Sequence, residues 1–214
     1  QMGPVPDFRV ACSLKPFSRA GVDYAGPFLT KQGRGKTQAK RYLCLFTCLE
    51  THACHLEVAY ALSTESFLLA LERFVKRRGV PQEIVSDNGT NFCAAEQELR
   101  DAVRAMDQEK IARRMVSAGI SWHFNPPRAP HFGGVFEALI KTAKRGLTAI
   151  LGKAEITDEE LVTAVVQVEE LMNSRPLTVL SADADDLLPL TPAHFLVGRL
   201  DPPLAVEVNA DEHP

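Results

Sequence analysis

The sequence contains no apolar run long enough to cross a bilayer, and its first residues lack the basic, apolar and small-residue order of a secretory signal. We therefore expect an intracellular chain. Its five cysteines, Cys12, Cys44, Cys48, Cys54 and Cys93, are odd in number and irregular in spacing, which does not describe a disulfide framework. Free thiols in a reducing compartment are the simpler expectation. No segment repeats another. A large charge of one sign is missing too: the net charge is −3, and it divides unevenly. Residues 181–214 hold seven acids and one base, which leaves +3 on the first 180 residues. A core so weakly basic neither selects nor rejects nucleic acid.

What is present is ordinary globular material. Apolar residues make up 45% and charged residues 24% of 214, enough to bury a full core within one domain. Residues 1–16, with Pro4, Pro6 and Pro16, read as an extended lead-in. Phe17 to Phe28 is strand-like, interrupted by Gly21, Gly26 and Pro27, and the polar stretch from Lys31 to Lys40 turns at Gly33 and Gly35, which predicts a hairpin. RYLCLFTCL (41–49) and ACHLEVAYA (53–61) have the apolar density of buried strands.

Ser63 then caps a helix, with Glu65 in its first turn and Phe67, Leu68, Leu71, Phe74 and Val75 at helical spacing, ending in Lys76, Arg77, Arg78 and Gly79. QEIVS predicts a short strand ending at Asp87, residues 91–104 and 107–117 read as helices, and ISWHF (120–124) as another strand. NPPRAPHFGG, with three prolines and two glycines, reads as a hinged loop. A helix over 135–151 ends at Gly152, Thr157 and Glu160 form a capping box for a helix reaching about Asn173, and loop follows from Arg175. Strands followed by helix, strand, helices, strand and long helices make an α/β domain, helices packed on a central mixed sheet. We place the core at 17–178 and an acidic extension at 179–214.

Three carboxylates stand out. Asp23 sits between Val22 and Tyr24 inside an apolar strand, where an aspartate is disfavoured and a buried carboxylate needs a partner, such as a metal ion. Asp87 ends a strand, where open α/β sheets place ligands, although Asp-Asn-Gly is also an ordinary turn. Glu137 shares a helical stripe with Lys141, Lys144 and Thr148, which fits a metal ligand followed by phosphate contacts and equally fits a solvated Glu-Lys pair. Phosphoryl transfer on DNA needs two divalent cations about 4 Å apart on carboxylate oxygens, so three acids at the ends of core elements suit it.

Taken together, these segments resemble the integrase core of retroviruses and long-terminal-repeat retrotransposons, most closely the Bel/Pao type. GVDYAGPF is similar to that family's first-aspartate strand, VPQEIVSDNGTNF to its second, and PPRAPHFGGVFEALIKTAKR to the loop and helix carrying its glutamate. MNSRPLT and LLPLTPAHFLVGR resemble its closing segments, so the likeness spans about residues 15–200 in the family's order.

The resemblance implies a ribonuclease-H-like fold, a five-stranded mixed sheet flanked by helices. It implies two Mg²⁺ or Mn²⁺ ions on the catalytic acids Asp23, Asp87 and Glu137, 3′-end processing of element DNA, and strand transfer into double-stranded target DNA in the nucleus. A homo-oligomer is expected, since two DNA ends are joined to one target. The 49 residues between Asp87 and Glu137 exceed the shorter retroviral gap, which fits an added surface helix near 101–117. The family's zinc-binding and DNA-binding end modules are not in this chain, as expected of a core taken from a longer protein.

Lys141, Lys144, Arg145 and Arg128 form the best basic set for DNA phosphate, and solvated helix-end cations are the plainer alternative. Asn88, Asn91, Asn125 and His131 are candidates to orient the ligands or the nucleophile, or are simple loop polarity. Cys44, Cys48, His52 and His55 have the residue types of a zinc site, but two adjacent strands lack the intervening segment such sites use; buried cysteines and surface histidines are expected instead. Trp122 reads as core. Two other functions remain open: a domesticated, non-catalytic core kept for DNA or protein binding, and a nuclease of the same fold acting on RNA in hybrids.

Overall fold

A computed structural model describes residues 15–33, 37–86, 101–103, 105–124, 130–152, 155–177 and 189–197, with the backbone alone at 124, 130–137 and 197. Its centre is a five-stranded sheet in the order β3-β2-β1-β4-β5. β1 (Arg19–Lys31), β2 (Gln38–Cys48) and β3 (Cys54–Ala59) form an antiparallel meander. β4 (Glu83–Ser86) returns parallel to β1 after a helical crossover, and β5 (Ser121–Phe124) lies parallel to β4. This is the mixed α/β sheet of the ribonuclease-H-like fold.

The pleat divides the core in two, because successive side chains point to opposite faces. Ala20, Val22 and Tyr24 of β1 face α1 (Thr64–Arg78) and α2 (Gln108–Ser117), packing with Phe67, Leu71, Phe74, Ile111 and Met115. The Phe46 and Phe74 rings stack at 4.2 Å, with Phe17 edge-on to Phe74 at 5.4 Å. On the other face Ala25, Leu43, Leu45 and Leu56 meet α3 (Pro130–Leu151) and α4 (Asp158–Asn173) through Ile140, Leu147, Leu161, Val165 and Val168.

Local signals set the helix ends. Ser63 Oγ accepts the Ser66 amide at 3.2 Å, and Gly79 closes α1 at φ 89°, a value in the left-handed half of the map that glycine takes without strain. Thr157 and Glu160 form the expected capping box on α4. Four expectations need correction. α3 starts at Pro130, so His131–Gly134 are helical rather than a hinged loop; a proline in the first turn has no needed N–H to lose. Met106, Ile111 and Met115 are buried, so the 105–117 stretch completes the core and is not a surface insertion. Ile150, whose helical spacing from Leu139, Ile140, Ala143 and Leu147 predicts a place on the apolar face of α3, is 45% exposed. A short helix, α5 (Pro192–Val197), lies where only loop was expected, and Leu196 packs on the core.

Candidate active site

Asp23 lies at the middle of β1, the central strand of the sheet. Its partner across β2 is Leu45, which belongs to the core layer beneath α3 and α4. Directly opposed residues share a face, so Asp23 points to the layer of α3, away from its neighbours Val22 and Tyr24. The side chain is half-buried, and Oδ1 accepts the Tyr24 amide at 2.7 Å. The parallel register of β1 with β4 ends at Val22↔Ser86, and the next residues in the sequence are Asp23 and Asp87.

Asp87 itself, with Asn88, Asn91, Asn125 and Arg128, lies outside the described residues. Glu137 and His131 are on α3, where the structure describes their backbone. One turn and two turns beyond Glu137, Lys141 is exposed and Lys144 half-buried; Arg145 is exposed. Ala143 and Leu147 on the same helix are fully buried, so the Lys141–Lys144 stripe borders the face of α3 that packs on the sheet. Among the described residues no group of three His, Cys, Asp or Glu side chains is arranged to hold a metal. Asp23 is one of these described residues, whereas the side chains of Asp87 and Glu137 are not. The donor fits a hard divalent cation in kind: a carboxylate set half-buried between apolar neighbours.

A charged cluster on β3 was not among the residues singled out from the sequence. His55 was expected on the surface, yet it is 2% exposed. Its Nε2 lies 3.1 Å from Glu57 Oε1 and its Nδ1 3.0 Å from Glu169 Oε2. Arg73 and Arg77 of α1 reach Glu57 at 2.5 and 2.9 Å, and Arg78 reaches Glu169 at 2.5 Å. Arg78 Nε also stands 3.4 Å from Nδ1, a contact requiring an unprotonated nitrogen; the shorter carboxylate contact and the acidic surroundings assign the proton to Nδ1. Burial pushes the imidazolium down in pKa, but hydrogen bonds to Glu169 and Glu57 outweigh it and the net direction is up. Burial likewise pushes both carboxyls up, and the contacts from His55, Arg73 and Arg78 bring them net below the usual range.

This geometry removes His55 from any zinc site, because both ring nitrogens face carboxylates. Cys48 Sγ accepts the Phe17 and Thr51 amides at 3.2 and 3.4 Å. Burial raises the Cys44 thiol and pushes Cys54 up to about 11, as expected of buried strand cysteines. Trp122 is partly buried and edge-on to Phe67 at 5.7 Å, as a core residue should be.

Comparison with known proteins places the fold first. No family model matches the sequence. The chain is similar to a chain in the structure of the simian T-cell lymphotropic virus intasome in complex with PP2A regulatory subunit B56 gamma, with a TM-score of 0.54, 18% identity, and 94% of this chain and 62% of that one covered. It is also similar to the HTLV-2 integrase catalytic core domain in complex with magnesium, in a dimeric form, with a TM-score of 0.51, 16% identity, and 79% and 94% covered. Both likenesses define the fold as that of retroviral integrase cores. Among curated proteins it is 23% identical over 158 residues to Uncharacterized protein K02A2.6 of Caenorhabditis elegans, covering 74% of this chain. It spans about 10% of that relative's length. No helix among the described residues is long and apolar enough to cross a membrane.

Proposed function

We propose that the chain is the catalytic core of a Bel/Pao-type retrotransposon integrase, a DNA strand transferase that trims 3′ ends and joins them to target DNA in the nucleus. The observation that carries this reading is the placement of Asp23, a carboxylate at the centre of the sheet, facing the helix that bears Glu137 and beside the strand whose sequence continues into Asp87. The likeness of the fold to integrase cores supports it.

Asp23, Asp87 and Glu137 are the residues proposed to hold two Mg²⁺ or Mn²⁺ ions, which when bound activate the attacking oxygen and stabilise the leaving one. The chain's own part is to position. β1, hydrogen-bonded on both sides, fixes Asp23; Lys141, Lys144 and Arg145 along α3, with Arg128 before it, hold DNA phosphates. Asn88, Asn91, Asn125 and His131 orient the ligands and the nucleophile. Water attacks in end processing and the DNA 3′ hydroxyl in strand transfer, with no covalent protein intermediate. The core acts as a homo-oligomer, so that two element ends reach one target.

The test is strand transfer on oligonucleotides in Mg²⁺ or Mn²⁺, comparing wild type with Asp23→Asn and Glu137→Gln. Activity falls to background in both variants while their melting temperatures hold. Equal rates in wild type and variants overturn the proposal, and the absence of transfer by a folded full-length wild type favours the domesticated, non-catalytic role.

A further inference from the structure

Two neighbouring outward amides of β3 are capped by side chains of different kinds. The Cys54 amide donates to Asn173 Oδ1 at 2.8 Å, a group that does not titrate. The Leu56 amide donates at 2.7 Å to Oε2 of Glu169, which reaches round the edge of the sheet from α4. That same oxygen stands 3.0 Å from His55 Nδ1, and Oε1 of Glu169 accepts Nη2 of Arg78 from α1. The cap on Leu56 is thus wired to a buried imidazole, and the cap on Cys54 is not.

His55 has charged neighbours from three elements. Glu57 of β3 meets its Nε2 at 3.1 Å, Glu169 of α4 meets Nδ1, and Arg78 of α1 places Nε 3.4 Å from the same Nδ1. Arg73 and Arg77 of α1 act on the ring through Glu57, and the rings of Phe46 and Phe74 flank it at 6.4 and 5.7 Å. A protonated imidazole donates from both nitrogens; a neutral one keeps a single N–H and turns a bare lone pair toward a carboxylate oxygen. At Nε2 no donor replaces the lost bond, because Arg73 and Arg77 are engaged with Glu57. At Nδ1 the Arg78 Nε–H is at hand. Nδ1 therefore gives up the proton and Arg78 turns toward it. Glu169 Oε2, the oxygen holding Leu56, then faces a lone pair where it had a cation.

We propose that His55 is a proton-operated latch on the β3 edge: protonated, it holds Glu169 over the Leu56 amide; neutral, it draws Arg78 aside and releases Glu169, opening the edge at Leu56. Because an uncovered edge invites strand pairing, one proton controls whether this side of the sheet can be paired. The closed latch binds that proton more tightly than the open one. Burial lowers the His55 pKa, hydrogen bonds to Glu169 and Glu57 raise it further, and the net direction is up. In the open state the ring returns to about 6.5. Opening is therefore rarest below about pH 6.5, grows by up to about tenfold per pH unit above it, and levels off once pH passes the raised value. The latch is independent of the catalytic reading, since Asp23 lies on β1, two strands away.

The test is native-state amide hydrogen exchange followed by nuclear magnetic resonance on the full chain from pH 5.5 to 9, read as the ratio of the Leu56 to the Cys54 protection factor. The ratio removes intrinsic base catalysis and global unfolding, which act on both amides. It is expected to be constant up to about pH 6.5, to fall by up to about tenfold per pH unit above that, and then to reach a plateau. Glu169→Gln keeps an oxygen for the Leu56 amide but removes the charge, so its ratio does not change with pH; His55→Gln also gives a flat ratio. Imidazole nitrogen shifts in the wild type report a neutral His55 protonated on Nε2. A wild-type ratio independent of pH overturns the latch, whether or not the variants fold. So does a neutral ring protonated on Nδ1, or a pH dependence that survives in Glu169→Gln.

Discussion

Glu57→Gln is the sharpest probe of the charged cluster beside β3. Glu57 is 5% exposed in its side chain and meets Arg73, Arg77 and His55 within 3.1 Å. Breaking one side of a buried ion pair costs about 3–5 kcal/mol when the stranded charge stays buried. Here Arg73 and Arg77 are 36% and 58% exposed and turn to water, so the expected loss is about 2–3 kcal/mol. For a chain of this size that is about 5–10 °C in melting temperature.

The pH profile carries the sign. His55 titrates above its ordinary value in the folded chain, so its contribution is complete below about pH 6.5 and is lost as pH rises through the raised value. Glu57 and Glu169 titrate below theirs, so their contributions are present above about pH 4.3 and are lost as pH falls below it. The gap between wild type and Glu57→Gln is therefore widest between about pH 4.5 and 6.5. It narrows toward pH 8 without closing, because Arg73 and Arg77 stay charged. Thermal melts followed by circular dichroism from pH 4 to 9 check this. A variant melting within about 1 °C of wild type throughout, or a gap independent of pH, refutes the assignment of a charged His55 between two carboxylates.

Two further substitutions test packing and edge capping. A Cβ at Gly146 of α3 would stand 3.1 and 3.2 Å from the two methyls of Val168, so Gly146→Ala loses about 1 kcal/mol despite alanine's better helix propensity, whereas in a Val168→Ala background the same change stabilises by about 0.5–1 kcal/mol; denaturant melts showing stabilisation in both backgrounds contradict the close α3–α4 approach. Asn173→Ala leaves the Cys54 amide and carbonyl, each now bonded to Asn173 at 2.8 Å, without that partner at a buried edge; the expected cost is about 2–4 kcal/mol with faster hydrogen exchange at Cys54, and unaltered exchange there refutes the cap.

The parts of this fold that were legible in the sequence are those decided locally. Ser63 and Gly79 bound α1, and Thr157 with Glu160 starts α4, because a cap is made within a few residues of itself. Asp23 was legible as an anomaly in an apolar strand, but the face it takes depends on its pairing with Leu45. Pro130 was read as loop because proline breaks helices from within; at a first turn it starts one. The Thr-Pro pair before α5 carried a similar signal, with Thr191 N bonded to His194 Nδ1 at 2.8 Å across the first turn. His55 and Glu57 alternate with Leu56 and Val58 as a solvent face does, and nothing local says that Arg73, Arg77 and Glu169 come from two helices to cover them.

That cover also constrains where the sheet meets other molecules. β3 is an edge strand, and edges invite pairing with foreign strands. The outward backbone groups at Cys54, Leu56 and Val58 are taken by Asn173, Glu169 and Arg73 at 2.7–2.8 Å. Arg175, from the same MNSRPLT segment as Asn173, adds bonds to the carbonyls of His52 and Met172. A strand added at β3 would first have to displace four side chains, two of them in a buried ionic cluster. The edge is sealed by contacts within the chain, whereas Asp23 lies on β1, the central strand, beside β4. Within the segment MNSRPLT, legible only as a likeness, Asn173 and Arg175 thus have a physical task of their own: they close the β3 edge of the sheet, two strands away from Asp23.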